Sequence, residues 1–179
     1  MTILLDLSRP RAVPLAASLA MLLAAASAAA RQPPTITFDG QYFPCIAYNI
    51  ALAQANGAPT QLRRTTDDTL VSSNRATICD LTVATTVAGI NRPLDRRDWV
   101  SCDEYPFASS VYANGGQAMI VPLYENNTQG AYLRRFYDTY GLGDGAAFSV
   151  VVSNVPATGG GPGRLTITNY SNGTVRCSY

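Results

Sequence analysis

WVSCDEYPFASSVY, residues 99–112, is dense in strand formers and is interrupted once, at Pro106. Asn114-Gly115-Gly116 then reads as a turn, and QAMIVPLY (117–124) as a partner strand. A hairpin is expected. Past Glu125-Asn126-Asn127, the segment TQGAYLRRFYDTYG (128–141) sets Tyr132, Leu133, Phe136 and Tyr137 on one face of a helix that Gly141 closes. The local order is strand, turn, strand, helix, so the carboxylate pair Asp103-Glu104 sits on a hairpin with a helix directly behind it.

Upstream, AYNIALAQAN (47–56) is spaced for a short helix ended by Asn56-Gly57. DDTLVSSNRATIC (67–79) fits either a short helix or a turn followed by a strand. TVATTVAGINRPLDRRD (82–98) reads as a loop after a β-rich start, since Gly89 and Pro93 break it and its charges gather toward the end. Downstream, AAFSVVVSNV (146–155) is a strand, ATGGGPG (157–163) a linker and RLTITNY (164–170) a last strand.

The first thirty residues stand apart: Arg9 and Arg11 precede an apolar Ala- and Leu-rich run that ends in small residues, the pattern of a secretory signal. Residues 31–179 then form one domain, the size of a chain with a single core. No later stretch approaches the roughly 20 apolar residues of a membrane span, so a secreted monomer without membrane contact is expected. All four cysteines follow the leader, and an even count in an exported chain favours two disulfides. Three pairings are open; Cys79–Cys102, closing the shorter loop, and Cys45–Cys177, tying the ends of the domain, are preferred.

All thirteen basic residues are Arg, and there is no His. Without the leader, eleven Arg face eleven acids. Bulk polycation binding to nucleic acid is thereby excluded, and local clusters must hold any anionic partner; Arg63-Arg64, Arg92 with Arg96-Arg97, and Arg134-Arg135 are the candidates, guanidinium being suited to bidentate phosphate contacts. With no His and no CxxC motif, zinc and thioredoxin-type chemistry are disfavoured.

Only two glutamates occur, Glu104 on the hairpin and Glu125 at the start of the following helix. A ββα unit of this kind can hold one divalent ion over a phosphodiester, with a hairpin base activating water and a helix oxygen ligand holding Mg²⁺ or Mn²⁺. Carboxylate, amide and water ligands suit these hard ions. An isolated Asp-Glu pair equally serves as a cap or as the partner of a local Arg.

The blocks CDEYPFASS (102–110), NGG (114–116), VPLYENNTQGAYLRRFY (121–137) and DGAAFSVVV (144–152), in this order and with NRATIC (74–79) upstream, resemble the NucA/NucB family of secreted non-specific deoxyribonucleases. The resemblance implies an α+β domain similar to the ββα-metal nucleases, with an antiparallel sheet and a hairpin-plus-helix site, here stapled by disulfides. It implies metal-dependent, largely sequence-independent endonucleolytic cleavage of DNA, with an acid where those enzymes place a histidine base. Position by position it assigns Asp103 as general base, Glu104 as its carboxylate neighbour, and Glu125 and Asn126 as metal or water ligands; Gln129 and Gly130 match longer members. Arg97, Arg134 and Arg135 are then expected to stabilise charge on the phosphate. A secreted ribonuclease and a non-catalytic binding module on the same scaffold are the competing readings, and EDTA separates all three.

Overall fold

The computed structural model describes residues 32–112 and 115–179. The expected leader, 1–30, and the Asn114 of the expected turn lie outside the described residues. Pro33–Tyr179 forms one compact unit, built from eight strands and four α-helices among the described residues.

Strand β1 (Thr35–Asp39) leads into helix α1 (Pro44–Ala55), and β2 (Gln61–Arg64) into helices α2 (Asp68–Ile78) and α3 (Leu81–Asn91). The predicted hairpin is β3 (Val100–Tyr105) with β5 (Gln117–Pro122), the short β4 (Ser110–Val111) lying between them in sequence. Helix α4 (Leu123–Thr139) follows at once, then β6 (Ala147–Ser153), β7 (Thr166–Asn169) and β8 (Val175–Ser178). The class is the expected α+β. Among the described residues two four-stranded sheets are present, ordered β1-β6-β2-β4 and β3-β5-β8-β7. Both contain antiparallel pairs, and each adds one parallel pair, β1 with β6 and β5 with β8. Parallel neighbours need a long connection, which the helices and strands between these partners provide.

A helix cap and core packing decide the two segments that local propensity left open or read differently. Residues 67–79 resolve as a helix because Asp67 caps it, its side chain accepting from the amides of Thr69 and Leu70. The expected loop at 82–98 is overturned: Leu81–Asn91 is helical, capped by Asp80, whose carboxylate accepts from Val83 N. Its β-branched residues are poor helix formers. Val83, Val87 and Ile90 recur at helical spacing, however, and pack on Val100 and Ile120 of the hairpin, so tertiary burial outweighs propensity. Helix α1 starts three residues earlier than expected, with Pro44 in its first turn, where a missing N–H costs nothing. Strand β8 had no expected counterpart.

The main core gathers Ile36, Phe38 and Phe148 from one sheet, Met119 and Val121 from the other, and Ile46, Ile50 and Phe136 from helices α1 and α4. Both preferred disulfides are formed, Cys45–Cys177 and Cys79–Cys102. The hairpin turn depends on glycine at one point: a Cβ on Gly116 would stand 2.4 Å from the Ile78 side chain and 3.0 Å from the Tyr105 carbonyl oxygen. Any larger residue would force the Ile78 side chain to move and crowd the Tyr105 carbonyl.

Candidate active site

Strand β3 is an edge strand. Successive side chains of a strand point to opposite faces, so Asp103 and Tyr105 turn toward α1 and bond there to Asn49 and Gln54. Cys102 and Glu104 turn toward α2, where Cys102 joins Cys79 and Glu104 pairs with Arg75 at 3.5 Å. With no further strand beyond β3, both residues still line the cleft that runs along its edge. That cleft has a volume of about 950 Å³ and is bounded by β3, by α2 and by one face of α4.

Helix α4 lines the cleft with Asn126, Gln129, Gly130, Leu133, Arg134 and Tyr137, a broad face built on the i, i+4 pairs Asn126–Gly130, Gln129–Leu133 and Gly130–Arg134, and Asn127 and Ala131 line it as well. Asn126 donates through Nδ2 to Ser101 Oγ and to the Cys102 carbonyl, both at 2.9 Å. These two bonds fix the amide against β3 and leave Oδ1, its acceptor atom, uncommitted. Gln129 is buried, and its amide favours the Asp103 carboxylate electrostatically without closing a bond of proper geometry, so Nε2 has no hydrogen-bond partner among the described residues.

The predicted site residues therefore divide. Asp103, Glu104, Asn126, Gln129 and Arg134 meet in one cleft, and the Cys79–Cys102 disulfide lines it. Glu125 does not line it. Adjacent helix residues stand about 100° apart around the axis, so with Asn126 facing the cleft, Glu125 turns into the core. There it is 2 % exposed, and its Oε1 accepts from Ile46 N at 2.8 Å, serving one of the free amides at the start of α1. Arg97 lies outside the cleft, exposed and paired with Asp95 and Asp98 at 3.4 and 3.7 Å. Arg135 is exposed on α4 and does not line the cleft either.

Two more arginines occupy the cleft wall, Arg64 from one of the candidate anion-binding pairs and Arg75, which sequence reasoning did not single out. Arg75 pairs with Glu104. Arg64 donates to the Leu142 carbonyl and lies over the Tyr137 ring at 4.5 Å, so its guanidinium is held in place. The NRATIC block contained the signal for Arg75, and its neighbours explain the block: Asn74 donates to the Ala108 and Ser110 carbonyls, pinning the chain after β3, and Cys79 binds Cys102.

Burial is the main cause of the electrostatics. Asp103 is pushed up to about 8 by burial and then by the charge of Glu104, with the Asn49 bond opposing. Burial raises Glu125 to about 7 against the Ile46 amide, and raises Glu104 against Arg75. For Asp103 and Glu125 the folded values lie above the ordinary 3.8 and 4.5, so the folded state binds more protons than the unfolded one across that window. Stability should then be highest below the ordinary values and decline as pH rises through about 7 and 8. Without divalent cations, the Tm should be higher at about pH 5 than at about pH 8.5, by several degrees if each pKa unit carries even part of its ~1.4 kcal/mol. Asp103→Asn should flatten the decline. A Tm that rose over this range would contradict the burial of these carboxyls.

A hard cation fits the residues of the cleft. The side chains that could ligate there are the free Oδ1 of Asn126 and the carboxylate of Glu104, beside Asp103, all oxygen donors suited to Mg²⁺ or Mn²⁺. The sulfurs of Cys79 and Cys102 also lie close to Glu104, but they are joined in a disulfide and are no thiolate ligands.

Among curated proteins, no sequence matches this chain. The family model described as Deoxyribonuclease NucA/NucB matches residues 48–151, from the middle of α1 through the hairpin and α4 into β6. That span holds every cleft residue described above, and the chain belongs to the deoxyribonuclease NucA/NucB family, nucleases that act on DNA.

Proposed function

We propose that this protein is a secreted, divalent-metal-dependent endonuclease that hydrolyses DNA phosphodiester bonds with little regard to sequence. The observation that carries this reading is the meeting, in one arginine-walled cleft, of a buried carboxylate, Asp103, with an amide oxygen, Asn126 Oδ1, that its own hydrogen bonds leave free. Asp103 accepts the proton of the attacking water. Asn126, with Glu104, would hold the cation, Mg²⁺ or Mn²⁺. Bound there, the cation would polarise the phosphate oxygens, neutralise charge on the leaving oxygen and favour the ionised carboxylates.

Arg64, Arg75 and Arg134 supply guanidinium groups to the phosphate as charge builds on it. Phosphate contacts position a duplex without reading its bases, which is the basis for expecting little sequence preference. Two disulfides support an exported enzyme, and no helix among the described residues is long and apolar enough to cross a membrane.

Plasmid nicking tests the reading, with Mg²⁺, Mn²⁺ and EDTA lanes and an RNA substrate in parallel. Supercoiled DNA should be nicked at many positions with either metal and left intact in EDTA. Cleavage that persists in EDTA would replace this mechanism with a metal-free one. RNA cut in preference to DNA would make the protein a ribonuclease, and no cutting under any condition would leave it a binding module.

A further inference from the structure

Asn49 is a mid-helix residue of α1 and has no exposed surface. Asn is a weak helix former, and a buried amide costs free energy unless it is bonded. Packing alone gives no reason for it among Ile46, Ile50 and Ala53 on the same helix. Its hydrogen bonds give one. Nδ2 donates to Asp103 Oδ2 at 2.7 Å, and Oδ1 accepts from Gln117 Nε2 at 3.0 Å. Gln117 in turn accepts through Oε1 from Asn56 Nδ2 at 3.4 Å.

The three amides thus point the same way, each donating toward the carboxylate. Because an ionised carboxylate only accepts, Asn49 must present its NH₂ to Asp103. Gln117 enforces that choice by presenting its own NH₂ to the other end. Aligned hydrogen bonds in a dry interior polarise one another.

We propose that Asn49, held by Gln117, is the positioning residue of the general base: it fixes the Asp103 side chain by one oxygen, Oδ2, and leaves Oδ1 for the proton of water. Neither amide lines the catalytic cleft. Gln117 lies on the wall of a separate pocket with Asn56, Pro59 and Tyr112, so the support reaches Asp103 from behind. This rests on the reading of Asp103 as base.

The test is steady-state kinetics on DNA with saturating Mg²⁺ or Mn²⁺ for Asn49→Leu, Gln117→Glu and Asp103→Asn, with Tm measured on each. Asn49→Leu keeps the volume and removes the donor. Gln117→Glu keeps the shape and puts an acceptor where Asn49 Oδ1 now receives a donor, which favours rotation of the Asn49 NH₂ away from Asp103. Loss of a positioning bond should lower kcat by about 10- to 100-fold in Asn49→Leu and about tenfold in Gln117→Glu, with KM for DNA within about twofold of wild type in both.

Should Asn49→Leu fail to fold, Gln117→Glu decides alone. Folded variants with wild-type kcat, or with a loss carried by KM, overturn the assignment while an inactive Asp103→Asn leaves the base in place. An active Asp103→Asn would instead remove the base, and the positioning role with it.

Discussion

Asp103→Asn should nick DNA at least about a hundredfold more slowly than the wild type while remaining folded, the usual scale for the loss of a general base. The change removes basicity and little else. The amide has the shape of the carboxyl and can still present an oxygen to Asn49 Nδ2, which lies 2.7 Å from Oδ2. The site already tolerates an uncharged group, because burial and Glu104 hold Asp103 up to about 8. A neutral side chain there should therefore leave the Tm unchanged or raise it at about pH 8. Lower activity with equal or greater stability distinguishes a chemical role from a structural one. Near-wild-type nicking by the folded variant would show that the proton of water goes elsewhere.

Loss of the Cys45–Cys177 disulfide carries the largest expected effect on stability. The bond joins residues 132 apart, and in the chain-entropy account a loop of that size contributes about 5 kcal/mol by restricting the unfolded chain. Its place in the fold adds to this. Cys45 lies in the first turn of α1, and Cys177 on β8, whose pairing with β5 is one bridge, Ile120 with Arg176. Without the bond, the β7–β8 hairpin is held to its sheet chiefly by side-chain packing. The paired Cys45→Ala and Cys177→Ala variant should lose about 10–20 °C in Tm. The Cys79→Ala and Cys102→Ala pair closes a loop of only 23 residues and should cost less, about 3 kcal/mol. A Tm within a few degrees of wild type for the Cys45/Cys177 variant would contradict this account.

The hairpin, the helix behind it and the strand at 147–153 were legible in the sequence because their signals are local: runs of strand formers, a glycine turn, a face of Tyr132, Leu133, Phe136 and Tyr137. The preferred disulfide pairs were legible for a related reason, since loop length and position along the chain are properties of the sequence. The blocks around Asp103 and Asn126 carried the family in the same way, as ordered words with fixed spacing.

What depended on tertiary structure was the partner of each buried polar group. Sequence counted two glutamates and placed both in the site, Glu104 beside the base and Glu125 as a metal ligand. Helix phase sets Glu125 about 100° from Asn126, and its bond goes to Ile46, 79 residues away. Asn49 looked like one more polar residue in a short helix until the fold placed it 2.7 Å from Asp103, 54 residues along the chain. Arg64 and Arg75 became cleft residues only when the fold brought β2 and α2 to the cleft that runs along β3. The helix at 81–91 formed because Val83, Val87 and Ile90 found Val100 and Ile120 to bury against. Neighbours in sequence mark where strands, turns and strong helices can form, whereas burial, desolvation and the partners of polar groups are settled by neighbours in space, and here only the folded chain supplies those.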